Sequence, residues 1–240
     1  MHLRRTPRRA LAVAFTAGAT AAVLAAGLGS SATAATMFSD DFNDGEAGGW
    51  SESGGTWSVV TDGSGVFQQA RASSKLARQF AGQTSWTDYQ VQARVKPLSF
   101  GSSNSLVGLA ARSTSSTKMY RLALLGSGRA ELQAVNGSQI TSLGSAFLGV
   151  AAGSWYALRI EAAGSTIRGF VNGTQVGSGT SSLASAGRIG LITSYASGRF
   201  DDVAVNPSGG ITRPPTPPWT TATPSTPPPS TPPPSTPPPS

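Results

Sequence analysis

The sequence has no cysteine, and its single histidine is His2, at the very start of the chain. A chain from which that start is removed has no thiol and no imidazole. Thiol nucleophiles, Ser–His and Cys–His relays and the usual zinc or iron ligand sets are then excluded. Disulfides are excluded as well, so stability has to come from a hydrophobic core, with a bound metal ion as the remaining staple. Charge is sparse: Asp, Glu, Lys and Arg make up 12% of the 240 residues. No segment carries sustained helical periodicity, which argues against helix bundles and parallel α/β sheets.

The chain divides into three parts by composition. Arg4, Arg5, Arg8 and Arg9 precede an apolar run from Ala10 to Leu28 that ends in Ala32-Thr33-Ala34. A basic start, an apolar middle and a small-residue cleavage site make residues 1–34 a secretory signal peptide, so a secreted, extracellular product without membrane attachment is expected. Thr16, Gly18 and Thr20 interrupt the run, which leaves a permanent membrane anchor as the weaker alternative. Loss of this segment removes four of the 18 basic residues and leaves 14 against 11 acidic ones, a net charge of +3. So small a surplus gives no electrostatic footprint for nucleic acid.

At the other end, residues 207–240 are rich in Pro, Thr and Ser, with Ser-Thr-Pro-Pro-Pro repeating from Ser225. Such a segment cannot bury a core and stays extended, as a linker or tail does. A spacer of this kind leads to the expectation of a downstream catalytic domain; a tail crossing a cell wall is the other reading.

Residues 37–206 form the one globular domain. Tyr89, Val91, Ala93 and Val95 alternate with Gln90, Gln92, Arg94 and Lys96, giving a strand with one core face and one wet face over Asp88 to Leu98. Further strands are expected at 56–60, 65–69, 105–112, 118–125, 129–135, 155–162, 166–171, 188–194 and 199–205. Asn136-Gly137 and Asn172-Gly173 supply the positive φ of tight hairpin turns, so each should join antiparallel neighbours. Many short strands with frequent turn signals predict an all-β fold, a two-sheet antiparallel sandwich of the jelly-roll type.

With His and Cys gone, hydrolysis would need a carboxylate pair about 5–10 Å apart. Glu131 and Glu161 each stand alone on their strands, without the Glu-x-Asp-x-x-Glu alternation of sandwich-fold glucanases. The other acids concentrate at the ends of the domain, in Asp40-Asp41-Phe42-Asn43-Asp44 and Asp201-Asp202. If the first and last strands pair, their oxygens converge in the hard-ligand environment that Ca²⁺ prefers; the alternative is that these aspartates cap turns and stay solvated.

Sugar binding needs aromatic faces against pyranose C–H patches and planar amides or guanidinium groups on paired hydroxyls. Trp50, Trp57, Trp86 and Trp155 stand at strand starts and read as core, while Tyr120 and Tyr195 are less committed. Met119, Arg121 and Ala123 share a face opposite Tyr120, Leu122 and Leu124, which sets Arg121 beside solvent. Arg94, Arg112 and Arg121 could line one sheet surface, suited to the carboxylates of a uronate polymer; an ordinary solvated sheet face is the plain alternative.

Phe38-Ser39-Asp40-Asp41-Phe42, Trp50, Gly55-Thr56-Trp57-Ser58-Val59 and Asp62-Gly63 resemble the opening of concanavalin A-like lectin/glucanase (LamG-like) jelly rolls. The segments 155–160, 170–173 and 187–191 and Arg199-Phe200-Asp201-Asp202-Val203 resemble their closing strands. The chain is similar, more narrowly, to accessory modules of secreted bacterial pectate lyases and to 3-keto-disaccharide hydrolase domains. The resemblance implies a concave sugar-binding sheet and a structural Ca²⁺, with Asp41 and Asp202 as its ligands.

The expectation is therefore a secreted, non-catalytic carbohydrate-binding module. Arg94, Arg112, Tyr120 and Arg121 are its candidate ligand-binding residues, and an acidic, pectin-like polysaccharide its partner. An enzyme of the keto-sugar hydrolase type using Glu131 or Glu161, and a wall-associated adhesion protein, are the competing readings.

Overall fold

A computed structural model describes residues 35–208. The signal peptide assigned to 1–34, and all but the first two residues of the Pro-rich segment, lie outside the described residues. Within them the chain forms β1 (Phe38–Asp40), β2 (Ser51–Ser53), β3 (Trp57–Thr61), β4 (Gly65–Gln69), β5 (Ala77–Ala81), β6 (Tyr89–Phe100), β7 (Leu106–Ser115) and β8 (Lys118–Leu125). It continues through β9 (Arg129–Asn136), β10 (Gln139–Phe147), β11 (Tyr156–Ala163), β12 (Thr166–Val171), β13 (Thr174–Thr180), β14 (Arg188–Ser194) and β15 (Ala196–Pro207).

Two antiparallel sheets pack face to face in the concanavalin A-like jelly-roll arrangement. The eight-stranded sheet has the order β13-β12-β11-β6-β15-β4-β3, with β1 on β15; the seven-stranded sheet has the order β10-β9-β8-β7-β14-β5-β2. The alternation read in β6 holds. Tyr89, Val91, Ala93 and Val95 are buried against Leu109, Leu122, Leu124, Leu132 and Leu191 of the opposite sheet, while Gln90, Gln92, Arg94 and Lys96 face outward. Burying each such leucine contributes about 1.5–3 kcal/mol.

Five strands escaped the pattern reading for physical reasons: β1 and β2 span three residues each, too few for alternation to show. β10 is an edge strand whose side chains are mostly exposed, β13 has the glycine-rich sequence Thr-Gln-Val-Gly-Ser-Gly-Thr, and β5 carries no β-branched residue. The Asn172-Gly173 turn is as expected, with φ of 50° and 81° between Val171 and Thr174. The other turn is shifted by one residue: Asn136 pairs with Gln139 as the last residue of β9, leaving Gly137-Ser138 as the loop, with Gly137 at φ 64°.

One long side of the sandwich closes through glycine. Gly144 of β10 and Gly177 of β13 face each other so closely that a Cβ on Gly144 would lie 2.5 Å from the Gly177 Cα. No larger residue allows the edge strands of the two sheets to approach this way.

An arginine ties one end together. Arg112, expected on a solvated sheet surface, is 1% exposed. It sits where β7 changes register between Ala111 and Ser115, at φ 46°, and this irregularity breaks the alternation that would have turned it outward. Its guanidinium donates to the carbonyls of Thr87 (2.8 Å), Gly164 (2.7 Å) and Ala184 (3.3 Å) and pairs with Asp88 at 2.9 Å. Its own N–H donates to the Tyr89 hydroxyl, which donates to the Gly187 carbonyl at 3.1 Å. Burial pushes that hydroxyl's pKa well above the usual tyrosine value, so it stays protonated.

Arg112→Met should strand these carbonyls and cost on the order of 3 kcal/mol, lowering Tm by about 6–12 °C in a thermal melt. Arg112→Lys should recover only part of the loss, because an ammonium cannot fork across several carbonyls.

Candidate functional site

The outward face of the seven-stranded sheet departs from what water requires. An antiparallel sheet with one solvated face alternates apolar and polar residues, yet its central strands are apolar on both sides. Phe80, Leu106, Ala110, Met119, Ala123, Val135 and Ile192 form a second hydrophobic cluster, separate from the main core, with Leu76 and Leu125 packed against it. Its members are each at most 5% exposed, so this is a second packed layer and not open apolar surface.

Arg78, Arg121, Gln133 and Glu131 interrupt this layer, and the Arg188 guanidinium lies 5.0 Å from the centre of its Phe80 ring. In β8 and β9, Arg121 faces Gln133, and Ala123 faces Glu131. Arg121 Nε donates to Gln133 Oε1 at 2.5 Å, and Gln133 Nε2 donates to Glu131 Oε2 at 2.9 Å, so guanidinium, amide and carboxylate form one hydrogen-bonded chain. Arg78 enters from β5, opposite Ile192 of β14. Between the two arginines the positions are Gly108, Ala110, Gly190 and Ile192, three of them small, so both long side chains lean over a low floor. β5 and β8 stand three strand spacings apart, about 14 Å at ~4.8 Å each, a span that two arginines can cover from its ends.

The electrostatics of the two cations differ. Arg121 is 9% exposed, and burial draws its pKa down to about 10, with the neighbouring Arg78 acting the same way and Glu131 opposing. It still carries its charge at neutral pH. Arg78 is 7% exposed, its pKa is lowered by burial, and it makes no hydrogen bond or ion pair among the described residues. A shielded guanidinium without a counter-charge is costly, and an anionic ligand would offset that cost.

The residues singled out in the sequence separate. Arg121 and Glu131 are the two that lie in this site. Tyr120 is fully buried on the inner face, its hydroxyl bound to Ser181 O at 3.1 Å, so it builds the core instead of meeting ligand. Arg112 is the buried clasp described above. Arg94 lies on the outer face of the other sheet, paired with Asp201 at 3.2 Å and Asp202 at 3.3 Å and stacked 4.4 Å from the Trp155 ring centre. The three arginines therefore do not share a surface, and Trp155 is not a core residue. Glu161 joins Arg159 and Arg168 on that same outer face, so it cannot pair with Glu131 across one substrate.

The acidic ends do meet, since β1 pairs with β15 and sets Asp40 opposite Val203. Asp41 is exposed and accepts from the Asn43 N–H at 3.1 Å, while Asp202 holds Arg94. Among the described residues no three His, Asp or Glu side chains gather as a metal site. Of the two expected ligands Asp202 is committed to a guanidinium, so most of the six to eight oxygens of a Ca²⁺ site would have to come from backbone carbonyls and water.

Arg78 and Gln133 escaped the sequence reading as site residues, and Glu131 entered it only as a carboxylate for the enzymatic alternative. Ala77-Arg78-Gln79-Phe80-Ala81 gives no hint of which parity faces the core, because Gln79 and Arg78 are both polar and both buried. The usable signal was Met119-x-Arg121-x-Ala123, whose apolar outer positions already depart from a solvated strand.

A family model described as a 3-keto-alpha-glucoside-1,2-lyase-like domain matches residues 37–206. No curated protein matches the chain. Several solved structures share the fold. A carbohydrate-binding module of family 66 from Bacillus subtilis is 17% identical at a TM-score of 0.58, over 66% of this chain and 95% of its own. A cellulose-induced protein is 16% identical at 0.55, over 70% of this chain and 96% of its own. A galectin-like protein from Bacillus subtilis is 12% identical at 0.54, over 73% and 97%.

Arg121→Met leaves one buried acceptor, Gln133 Oε1, without its donor and should cost about 1 kcal/mol, lowering Tm by about 2–4 °C, less than Arg112→Met. Chelation by EDTA should leave the midpoint where it is; a rise of several degrees on adding millimolar calcium would instead establish an ion at Asp41 and Asp202.

Proposed function

From the premise that this chain belongs to the 3-keto-alpha-glucoside-1,2-lyase-like domain family, we propose that it is a secreted, non-catalytic glycan-binding module. Its binding surface is the outer face of the seven-stranded sheet. In the full protein it holds a polysaccharide-degrading domain, attached through the Pro-rich segment, on plant polysaccharide such as pectin.

The observation that carries this reading is the composition of that face. The hydrogen-bonded Arg121–Gln133–Glu131 chain, and an Arg78 that makes no hydrogen bond or ion pair among the described residues, sit on a packed apolar layer. Glycan sites combine these two elements. The acidic polymer follows from charge: two shielded guanidinium groups face one carboxylate, and each arginine can grip a uronate bidentately. Shared fold with a carbohydrate-binding module supports the same direction.

An enzymatic reading has one foothold. Glu131 is a carboxylate within the site, and the family description names a lyase. As a base it would need a substrate C–H within hydrogen-bonding reach and a partner acid, and Glu161 is on the opposite outer face. Turnover of a 3-keto-glucoside that Glu131→Gln abolishes would replace the binding reading with this one.

Affinity electrophoresis against a glycan panel tests the proposal. Polygalacturonate should retard the protein. Arg78→Ala and Arg121→Ala should each weaken binding about 10–100-fold, the loss of a charge-assisted contact of about 1.5–3 kcal/mol. Retardation should fall as salt rises. If no polysaccharide retards the wild-type chain, the reading is wrong.

A further inference from the structure

The sandwich has a cavity of about 230 Å³ at its open edge, between the β9–β10 hairpin and the connection that follows β13. It is far from the sheet face just described in chemical character. Its floor is apolar, from Leu143 and Leu183, and its walls carry Asn136, Gln139, Thr141 and Thr180. No ionisable side chain lines it. The four wall residues are exposed, and their side chains make no hydrogen bond among the described residues, so two primary amides and two hydroxyls have free donors and acceptors around an apolar base.

The walls are held in place from inside. The Tyr120 hydroxyl donates to Ser181 O at 3.1 Å and accepts from the Ala184 N–H at 3.2 Å, and Ser181 Oγ accepts from the Leu183 N–H at 3.3 Å. Arg112 holds the Ala184 carbonyl at 3.3 Å. The other wall is the hairpin fixed by the Asn136–Gln139 pairing, and the Gly144–Gly177 contact sets the separation of the two edge strands beside it. Both walls are therefore pinned to the core, which lowers the ordering cost a ligand would face.

We infer that this edge cavity is a second saccharide site, one that takes a single neutral sugar residue. Neutral amides and hydroxyls over an apolar floor match a ring with hydroxyls on its rim and C–H bonds on its face. A charged ligand would be desolvated there without a counter-charge. The volume equals about eight waters at ~30 Å³ each and lies below the ~300–1,000 Å³ of drug-sized pockets, so one ring fits and a chain does not. An end residue or a one-residue side branch meets that condition. The inference rests on the reading that the domain binds glycans, but it divides the work: an acidic chain on the sheet face, a neutral residue at the edge.

The test is an NMR titration of the secreted chain with neutral methyl glycosides of common plant sugars and, separately, with methyl galacturonate. At least one neutral glycoside should bind with a Kd of about 1–10 mM and shift the amides of 136–141 and 180–183. Thr180→Ala and Gln139→Ala, both at exposed positions, should keep the wild-type melting curve and weaken that binding about tenfold. Arg121→Ala should leave it unchanged while weakening polygalacturonate.

Three results overturn the inference: no neutral glycoside moves those amides at about 50 mM, methyl galacturonate fills the cavity as well as any neutral sugar, or the shifts map to the sheet face. Neutral binding at the edge with no polygalacturonate binding would reject the acidic-chain reading and leave this one standing. Polygalacturonate binding without edge shifts would do the reverse.

Discussion

One buried guanidinium organises an end of this sandwich. Arg112 reaches carbonyls in three separate connections, at Thr87, Gly164 and Ala184, and those connections belong to both sheets. Buried carbonyls without donors cost free energy, and loops that end a sandwich have no ladder partners to supply them. A five-donor planar group placed among them satisfies several at once. With the chain lacking any disulfide, this polar clasp takes over the cross-linking that secreted β-domains often assign to cystine. The connection at 181–187 then inherits its rigidity from Arg112 and Tyr120, and with it one wall of the edge cavity.

The two sheets meet their surroundings differently. The outer face of the eight-stranded sheet is zipped by charge: Lys96 and Arg199 hold Asp62, Arg94 holds Asp201 and Asp202, and Arg159 pairs with Glu161 while stacking on Phe170. Lys96 and Arg199 keep the Asp62 carboxyl below the usual carboxylate range, whereas burial raises that of Asp201 despite Arg94. Nearly every charge there has a partner, and the aromatic rings are covered by cations. On the opposite sheet the outer cluster is itself buried, and Arg78, without a hydrogen bond or ion pair among the described residues, is the charge left unmet. That asymmetry is why we propose the seven-stranded sheet as the binding surface, although both outer faces carry arginines.

Much of the fold was legible in the residues. β6 announced itself by strict alternation, the Asn172-Gly173 turn by its demand for positive φ, and the meeting of the first and last strands by the acids at both ends. The site was less legible, and the reason is geometric. Alternation assigns a side chain to one of two faces but not to one of two sheets, so Arg94 and Arg121 looked like neighbours while standing on opposite outer surfaces. A register change is invisible to alternation, so Arg112 pointed inward where parity pointed out. Arg78 was hidden by a strand polar and apolar on both faces, and Trp155 read as core because cation–π burial of an outer tryptophan leaves no mark on its neighbours in sequence.

The pairing of β1 with β15 has a mechanical meaning. Met37 and Val205 are joined by a backbone hydrogen bond, and Phe38 lies opposite Val205, so the chain enters and leaves the domain at adjacent points. Tension applied through the two ends would load that three-residue ladder one rung at a time, in unzipping geometry, instead of sharing the force across all rungs in shear. The domain would thus yield first at its own anchorage, with β1 peeling away while the sheets behind it stay folded.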